Sequence, residues 1–184
     1  MPTLIDPKLI RTDLETQSRI ALNEEIVKEY AEAMEAGTVF PAILVFYDEP
    51  HDQFILAEGF HRLAAHNKVK PNEMILAEQR LGTIDDARWA SIGANQSHGL
   101  RRTNADKRNA VKQALLHPKG ENLSDRQIGQ HVGVHHDTVG KIRHELESTG
   151  EIRQIENRTI QRGHQVYQQH TTYIWFNSKA ESAW

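Results

Sequence analysis

The pattern of apolar and polar positions in the first third of the chain predicts a helix followed by two strands. Residues 23–37 place apolar side chains at helical spacing, with Asn23 as the candidate N-cap and Gly37 as the stop. The apolar and aromatic run VFPAILVFYD predicts a buried strand that ends near Asp48. After the turn EPHD, the run QFILA predicts a second strand that pairs with the first as a hairpin.

The pattern then changes between helix and strand three more times. FHRLAAHNK predicts a short helix, and EMILAEQRLG contains another strand. Residues 83–95 predict a helix, because Thr83 can serve as N-cap and Asp85 and Asp86 suit the positive end of the helix dipole.

The second half of the chain is predicted to be mainly helical. A helix is expected over about 104–116, capped by Thr103 or Asn104. Two short helices follow, joined by a turn at Gly133; the first begins with the capping-box pattern S-x-x-Q at Ser124, and the second starts near His135 and runs to about Glu147. The tail is rich in Ile, Val, Thr, Tyr and Gln, and Arg162-Gly163 suits the turn of a β-hairpin.

These elements predict an α+β fold in three parts. Residues 1–95 form a small domain of mixed sheet and helices, residues 96–150 a helical domain, and residues 151–184 a β-hairpin tail. Because no run of 18 apolar residues exists, no membrane span is expected. The N-terminus has no secretory pattern and the chain has no cysteine, which agrees with a cytoplasmic location.

Charge is distributed unevenly along the chain. Residues 1–90 hold 9 Lys+Arg and 16 Asp+Glu, a net of −7, whereas residues 91–184 hold 13 and 9, a net of +4. This asymmetry suggests that only the second half meets a polyanion. The alternative is that the charges lie on solvated helix faces, and charge alone favours this alternative because the bias is modest.

The two short helices around Gly133 fit a DNA-binding helix-turn-helix, whose second helix enters the major groove. Five apolar side chains are expected to face inward: Ile128, Val132, Val139, Ile142 and Leu146. Polar side chains are expected to face outward and to contact phosphates or base edges. The predicted DNA-binding residues are Arg126, His135, His136, Thr138, Lys141 and Arg143. The alternative is a helical hairpin with a solvated face.

The stretch EGFHR forms a strand-to-helix corner that suits an anion. Gly59 permits a sharp turn, and the first amides of the helix and its dipole favour a phosphate beside His61 and Arg62. In the alternative interpretation His61 only packs, and Arg62 pairs with a nearby carboxylate.

In its order of motifs, the stretch from about 17 to 147 resembles the ParB/sulfiredoxin superfamily. The resemblance rests on Gln17-Ser18-Arg19, the helix that ends in EAG, the strand led by Pro41, the corner Gly59-Phe60-His61-Arg62, and the segment from Asn95 into the next helix. A helix-turn-helix then follows where ParB proteins carry theirs. The segment 95–108 is similar to a ParB-like branch often labelled as ParB-like nuclease-domain proteins.

The resemblance implies a nucleotide or phosphate site at the corner, with CTP and Mg²⁺ or Mn²⁺ as in partition-type ParB proteins. The implied binding residues are Gly59, Phe60, His61, Arg62, Asn95, His98, Arg101 and Arg102. Sulfiredoxin chemistry is excluded, because Phe60 stands where those enzymes carry a cysteine. The chain also departs from the partition pattern at Ala94, His98 and His61, which replace a glutamate and two arginines.

A magnesium ion at the corner would take oxygen ligands, for which Glu58 and Asn95 are the candidates. If the corner cleaves DNA, Glu58, His61 and Arg62 are the predicted catalytic residues. The eleven histidines predict no structural zinc site, since neighbours such as His135 and His136 point about 100° apart on a helix and no H-E-x-x-H occurs.

The sequence therefore favours a ParB-like protein that binds double-stranded DNA and a nucleotide, located in the bacterial cytoplasm with the nucleoid or a plasmid and acting in a process such as plasmid partition. The first alternative is a metal-dependent DNA nuclease that uses the same corner, and the second is a ligand-sensing transcription regulator. A homodimer is expected, because a single helix-turn-helix gains much by pairing half-sites.

Overall fold

The computed structural model describes residues 2–14, 16, 22–94, 102–154, 157–162 and 165–170. The chain divides into two compact units, residues 1–110 and 111–184. Its mixture of a five-stranded sheet, helices and a separate hairpin confirms the predicted α+β class.

The first unit is built on a five-stranded mixed sheet. Its strands are β1 (Pro2–Ile5), β2 (Ile10–Arg11), β3 (Ile43–Asp48), β4 (Gln53–Glu58) and β5 (Ile75–Leu81), in the order β1-β5-β3-β4-β2. The central pair β3 and β4 is antiparallel, which confirms the predicted hairpin. β3 pairs with β5 in parallel, β2 pairs with β4 in parallel, and β1 pairs with β5 antiparallel. The two short N-terminal strands were not predicted from the sequence.

Apolar side chains leave β3 and β4 on both faces of the sheet, which explains why these strands read as nearly continuous apolar runs. On one face Ile43, Val45 and Leu56 form a buried cluster with Leu63. On the other face Phe46, Ile55 and Ala57 pack with Ala87. Helices therefore cover the middle of the sheet from both sides.

Three helices of the first unit begin and end close to the predicted positions. They are α1 (Glu24–Glu35), α2 (Phe60–Val69) and α3 (Ile84–Gly93). The side chain of Asn23 caps α1 by accepting hydrogen bonds from the amides of Glu25 and Ile26. Thr83 caps α3 in a reciprocal capping box with Asp86. α1 packs on α2 through Val27, Ala31 and Ala65.

The remaining elements are α4 (Asn104–Leu116), α5 (Asp125–Val132), α6 (His136–Ser148), β6 (Asn157–Arg162) and β7 (Gln165–His170). The boundary between the two units falls within α4. Ser124 forms the predicted capping box with Gln127 at the start of α5. The predicted tail hairpin is present as the antiparallel pair β6 and β7, while its turn at Gly163 lies outside the described residues. Among the described helices, none is both long and apolar enough to cross a membrane.

Candidate functional site

The corner between β4 and α2 depends on Gly59. This residue has a φ of 102°, in the left-handed region that favours glycine, and it is the N-cap of α2 with no side chain to cap the helix. A Cβ atom at Gly59 would lie 2.5 Å from Cγ2 of Ile43 and 3.2 Å from Nε of Arg62. The chain therefore passes too close to β3 for any side chain here. The side chain of Phe60 packs against the buried cluster that contains Ile43 and Leu63.

The guanidinium of Arg62 holds the backbone that leads into β3. Its Nη1 donates to the carbonyl oxygens of Pro41, at 2.7 Å, and Ala42, at 2.9 Å. Its Nη2 lies 3.5 Å from Oε1 of Glu58 and its side chain is 15% exposed. Burial lowers the pKa of Arg62 from its ordinary value, and Glu58 opposes that change. The carboxylate partner expected in the alternative interpretation of the corner is therefore Glu58.

The imidazole of His61 connects the starts of two helices. Its Nε2 accepts a hydrogen bond of 3.1 Å from the backbone amide of Asn23, the N-cap of α1. In this arrangement the ring proton resides on Nδ1, since Nε2 provides the lone pair. His61 thus satisfies one amide at the N-terminus of α1, besides any role toward a ligand.

Arg102 contacts the C-terminal end of α3. Its Nη2 donates to the carbonyl oxygens of Ser91, at 3.1 Å, and Ile92, at 2.8 Å, two of the last carbonyls of that helix. Six other residues of the predicted motifs lie outside the described residues: Gln17, Ser18, Arg19, Asn95, His98 and Arg101.

The turn between α5 and α6 requires two glycines. Gly133 ends α5 with a φ of 78°, in the left-handed region. Gly129 lies within α5, and a Cβ atom there would come within 2.7 Å of the carbonyl oxygen of Val134. The amides of Gly133 and Val134 both donate to the carbonyl oxygen of Gly129 at 2.9 Å, which closes the turn onto the helix. The predicted pair of short helices with a glycine turn is therefore present.

The inward face of α5 and α6 contains the five predicted apolar side chains. Each is at most 4% exposed: Ile128, Val132, Val139, Ile142 and Leu146. The outward face contains the predicted side chains of Arg126, His135, His136, Thr138 and Lys141, all of which are exposed.

Arg143 is an exception, and its predicted outward orientation is wrong. The residue is 1% exposed; its Nε donates to Oδ1 of Asp125 at 2.7 Å, and its Nη2 donates to the carbonyl oxygen of Leu123 at 2.8 Å. Burial lowers the pKa of Arg143, and the charge of Asp125 partly offsets this. The reason is helical spacing, because position 143 is four residues after the buried Val139 and lies on the same face.

The contacts of Arg158, which connects the hairpin to the helix pair, were not predicted from the sequence. Its Nη1 lies 3.2 Å from Oδ2 of Asp125, and its Nη2 lies 3.5 Å from Oε1 of Glu147. The amide of Thr159 donates to the carbonyl oxygen of Asn122 at 2.9 Å. β6 is therefore fixed to α5 through Asp125, the carboxylate that also holds Arg143, and to α6 through Glu147.

Comparison with known proteins shows likeness in structure. No family model matches the sequence, and no match is found among curated proteins. The structure is similar to sulfiredoxin from Arabidopsis thaliana, at 23% identity and a TM-score of 0.39, over 49% of this chain and 96% of that chain.

Two structures of the C-terminally truncated chromosome-partitioning protein ParB from Caulobacter crescentus are also similar. The complex with the centromeric parS site has 16% identity and a TM-score of 0.49, over 82% of this chain and 79% of that chain. The complex with CTP-gamma-S has 16% identity and a TM-score of 0.43, over 82% and 86% of the two chains. These are similarities of structure between chains that are at most 23% identical.

Proposed function

We propose that this chain is a ParB-like DNA-binding protein that reads double-stranded DNA with α6. The observation that carries the proposal is the division of the α5–α6 pair into two faces. One face packs entirely inward, while the other exposes side chains that can contact phosphates and base edges. Two short helices joined by a glycine turn support the helix-turn-helix that we propose.

Three exposed residues are the expected direct contacts. Lys141 and Thr138 lie on α6, and Arg126 lies near the start of α5. Lysine and arginine can bind phosphates or guanine, and threonine can donate to either kind of acceptor. Arg143 is no longer among the DNA contacts that we propose, because its guanidinium is committed to Asp125 and Leu123.

Fluorescence anisotropy with labelled duplex DNA over a series of salt concentrations tests this function. Lys141→Ala should weaken binding and reduce the slope of log K against log salt by about one. The matched control is Lys28→Ala, which removes one exposed positive charge from α1 and should leave both quantities unchanged. Equal losses in the two variants would indicate general charge attraction and contradict the proposed reading helix.

We also propose that the EGFHR corner binds the phosphates of a nucleotide, with CTP and Mg²⁺ as the first candidates. Support comes from the left-handed N-cap at Gly59, the absence of a capping side chain on that residue, and Arg62 beside the first turn of α2. Anions are stabilised at such helix starts by free amides and by the helix dipole. Glu58 is 29% exposed in its side chain and is the described candidate for a metal ligand.

Calorimetric titration with the four nucleoside triphosphates, with and without Mg²⁺, tests the corner. Arg62→Ala is expected to abolish binding, and Arg62→Lys should retain part of it. The thermal unfolding of each variant must be measured in parallel, because Arg62 also holds the carbonyls of Pro41 and Ala42. Binding that survives in stably folded Arg62→Ala would remove the corner from the proposal.

A plasmid assay separates the nuclease alternative from nucleotide binding. Supercoiled plasmid is incubated with the protein and Mg²⁺ or Mn²⁺, with and without EDTA. Metal-dependent nicking that is lost in His61→Ala and Arg62→Ala would favour a nuclease. Retention of DNA that depends on a nucleotide, without nicking, would favour a clamp, and a homodimer should then be seen by light scattering.

A further inference from the structure

Two imidazoles and one carboxylate converge at the start of α6. One ligand atom from each of His135, His136 and Asp137 lies within 4.8 Å of the others. Nδ1 of His135 is 3.3 Å from Oδ2 of Asp137, and Nε2 of His136 is 3.3 Å from Oδ1 of the same carboxylate. The two imidazole rings are 4.1 Å apart between centroids.

The convergence arises because His135 is the N-cap and is not part of the helix. Its φ of −68° and ψ of 143° are extended values, so the separation of about 100° between helical neighbours does not apply to the pair. Asp137 follows in the first turn, where its carboxylate reaches both rings. The sequence-based expectation that adjacent histidines point apart is wrong at this position.

The three groups have the donor chemistry of a transition-metal site. Neutral imidazole nitrogens and a carboxylate oxygen are common ligands of Zn²⁺, whereas Mg²⁺ takes oxygen almost exclusively. Bonds of about 2.0–2.1 Å in a tetrahedral centre separate two ligand atoms by about 3.3 Å. Each ring nitrogen lies at that distance from the carboxylate oxygen nearer to it, Oδ2 for His135 and Oδ1 for His136. Nδ1 of His135 carries no proton in this arrangement, since it accepts a weak 3.4 Å hydrogen bond from the amide of Asp137, and a metal ion would take the lone pair from that bond.

We propose that His135, His136 and Asp137 form a surface site for one divalent transition-metal ion, of which Zn²⁺ is the representative. Their side chains are 67%, 54% and 69% exposed, so each can rotate to close the remaining distances. Three protein ligands leave one tetrahedral position open to water or to an exogenous oxygen.

A consequence for DNA binding rests on the proposed function. With neutral histidines the three side chains carry a charge of −1, and a bound Zn²⁺ changes it to +1. The change occurs at the exposed start of the helix that we propose to enter the groove, where a phosphate oxygen could complete the coordination. Zn²⁺ should therefore increase the affinity for duplex DNA.

Calorimetric titration of the full, untagged, EDTA-treated chain with ZnCl₂ tests the site without DNA. His136→Ala and Asp137→Asn should each weaken the tightest binding event by at least about tenfold. His144→Ala is the matched control, because it removes an exposed histidine from the same helix, and it should bind as the wild type does. His135→Asn loses a ligand but retains a side chain that caps helices well, so its far-ultraviolet circular dichroism should be unchanged.

Two outcomes would contradict the proposed site. The first is that the wild type does not bind Zn²⁺, and the second is that His136→Ala and Asp137→Asn bind it with the same affinity as the wild type. Anisotropy with duplex DNA then separates this inference from the proposed function. If Zn²⁺ raises DNA affinity equally in the wild type and in His136→Ala, the site is not responsible and the consequence for DNA is wrong. Site-specific Zn²⁺ binding by a chain that binds no DNA would contradict only the proposed function.

Discussion

The β4–α2 corner and the α5–α6 pair share two structural features, a left-handed glycine and an arginine removed from solvent, but their remaining basic side chains differ in exposure. Each has a glycine in the left-handed region, Gly59 or Gly133, and each contains an arginine whose pKa is lowered by partial or full burial, Arg62 or Arg143. At the corner both basic side chains of the motif are bonded to backbone: Arg62 to carbonyl oxygens and His61 to an amide. In the helix pair only one basic side chain turns inward, and the neighbouring ones remain exposed.

The difference shows where binding can be separated from folding. A helix of more than three turns presents a buried face and an exposed face. On α6, Arg143 can therefore stabilise the structure while Lys141, two residues before it, is exposed to solvent. The corner has only four residues and cannot divide them between a buried and an exposed face. The same side chains must therefore hold the backbone and bind a ligand. Variants of the corner should therefore change stability and binding together, whereas variants of α6 should change them one at a time.

The largest effect on stability is expected from Arg143→Met. The change leaves Asp125 without its closer partner and the carbonyl of Leu123 without a donor, and breaking such a buried pair costs about 3–4 kcal/mol. Urea unfolding followed by circular dichroism measures the loss. Since Arg158 still reaches Asp125, this carboxylate keeps one ion pair in Arg143→Met, and the double variant Arg143→Met/Arg158→Met should lose more stability. An unchanged urea midpoint for Arg143→Met would contradict the structural role of this arginine.

Gly59→Ala is expected to cost about 2–3 kcal/mol, because it combines an unfavourable φ with a Cβ contact on the buried Ile43. The matched control is Gly37→Ala, whose φ is 89° but whose Cβ would meet nothing within 4 Å. The control should lose about 1 kcal/mol from backbone strain alone. The difference between the two unfolding free energies measures how closely β4–α2 approaches β3, and equal losses would exclude the close approach.

Gly129→Ala should destabilise the helix pair by about 1–2 kcal/mol, since the new Cβ meets the backbone oxygen of Val134 and the turn must shift. Gly140→Ala is the control, because its nearest contact is the end of the Asp125 side chain at 3.3 Å and alanine favours the helix. Hydrogen exchange of the α5–α6 amides should become faster in the first variant only. Faster exchange in both variants would point to helix sensitivity in general and not to the turn.

The smallest effect on stability is expected from Lys141→Gln, on the same helix as Arg143. Because Lys141 is exposed, the free energy of unfolding should change by less than about 0.5 kcal/mol. Its urea unfolding curve should superimpose on that of the wild type even while its affinity for duplex DNA falls. A loss of stability comparable to that of Arg143→Met would contradict the division of α6 into two faces.

The structure agrees best with the predictions from sequence where a feature depends on residues that are close together in the chain. The caps at Asn23, Thr83 and Ser124 form as their spacing predicts, because each bond joins residues two or three apart. The β3–β4 hairpin and the apolar stripe of α5–α6 were also predictable from periodicity. Within the corner, the need for glycine at position 59 was predicted from the strand-to-helix pattern.

Features that depend on contacts between residues far apart in the chain were not predicted from the sequence. β1 has one buried residue in four, and β1 and β2 exist through pairing with β5 and β4, so their own patterns are too short to indicate strands. His61 meets an amide 38 residues before it, and Arg158 meets a carboxylate 33 residues before it.

The sequence by itself determined the helices, the central strands and the residue types at the corner and on α6, because periodicity and capping act within a few residues. Only the tertiary structure decided what the charged side chains do. It turned Arg62 and Arg143 toward backbone and carboxylate partners, left Lys141 exposed, and brought His135, His136 and Asp137 together by placing the first of them outside the helix. The physical reason is that a long polar side chain takes the nearest unsatisfied partner when its stem is buried, and folding decides which partners are near.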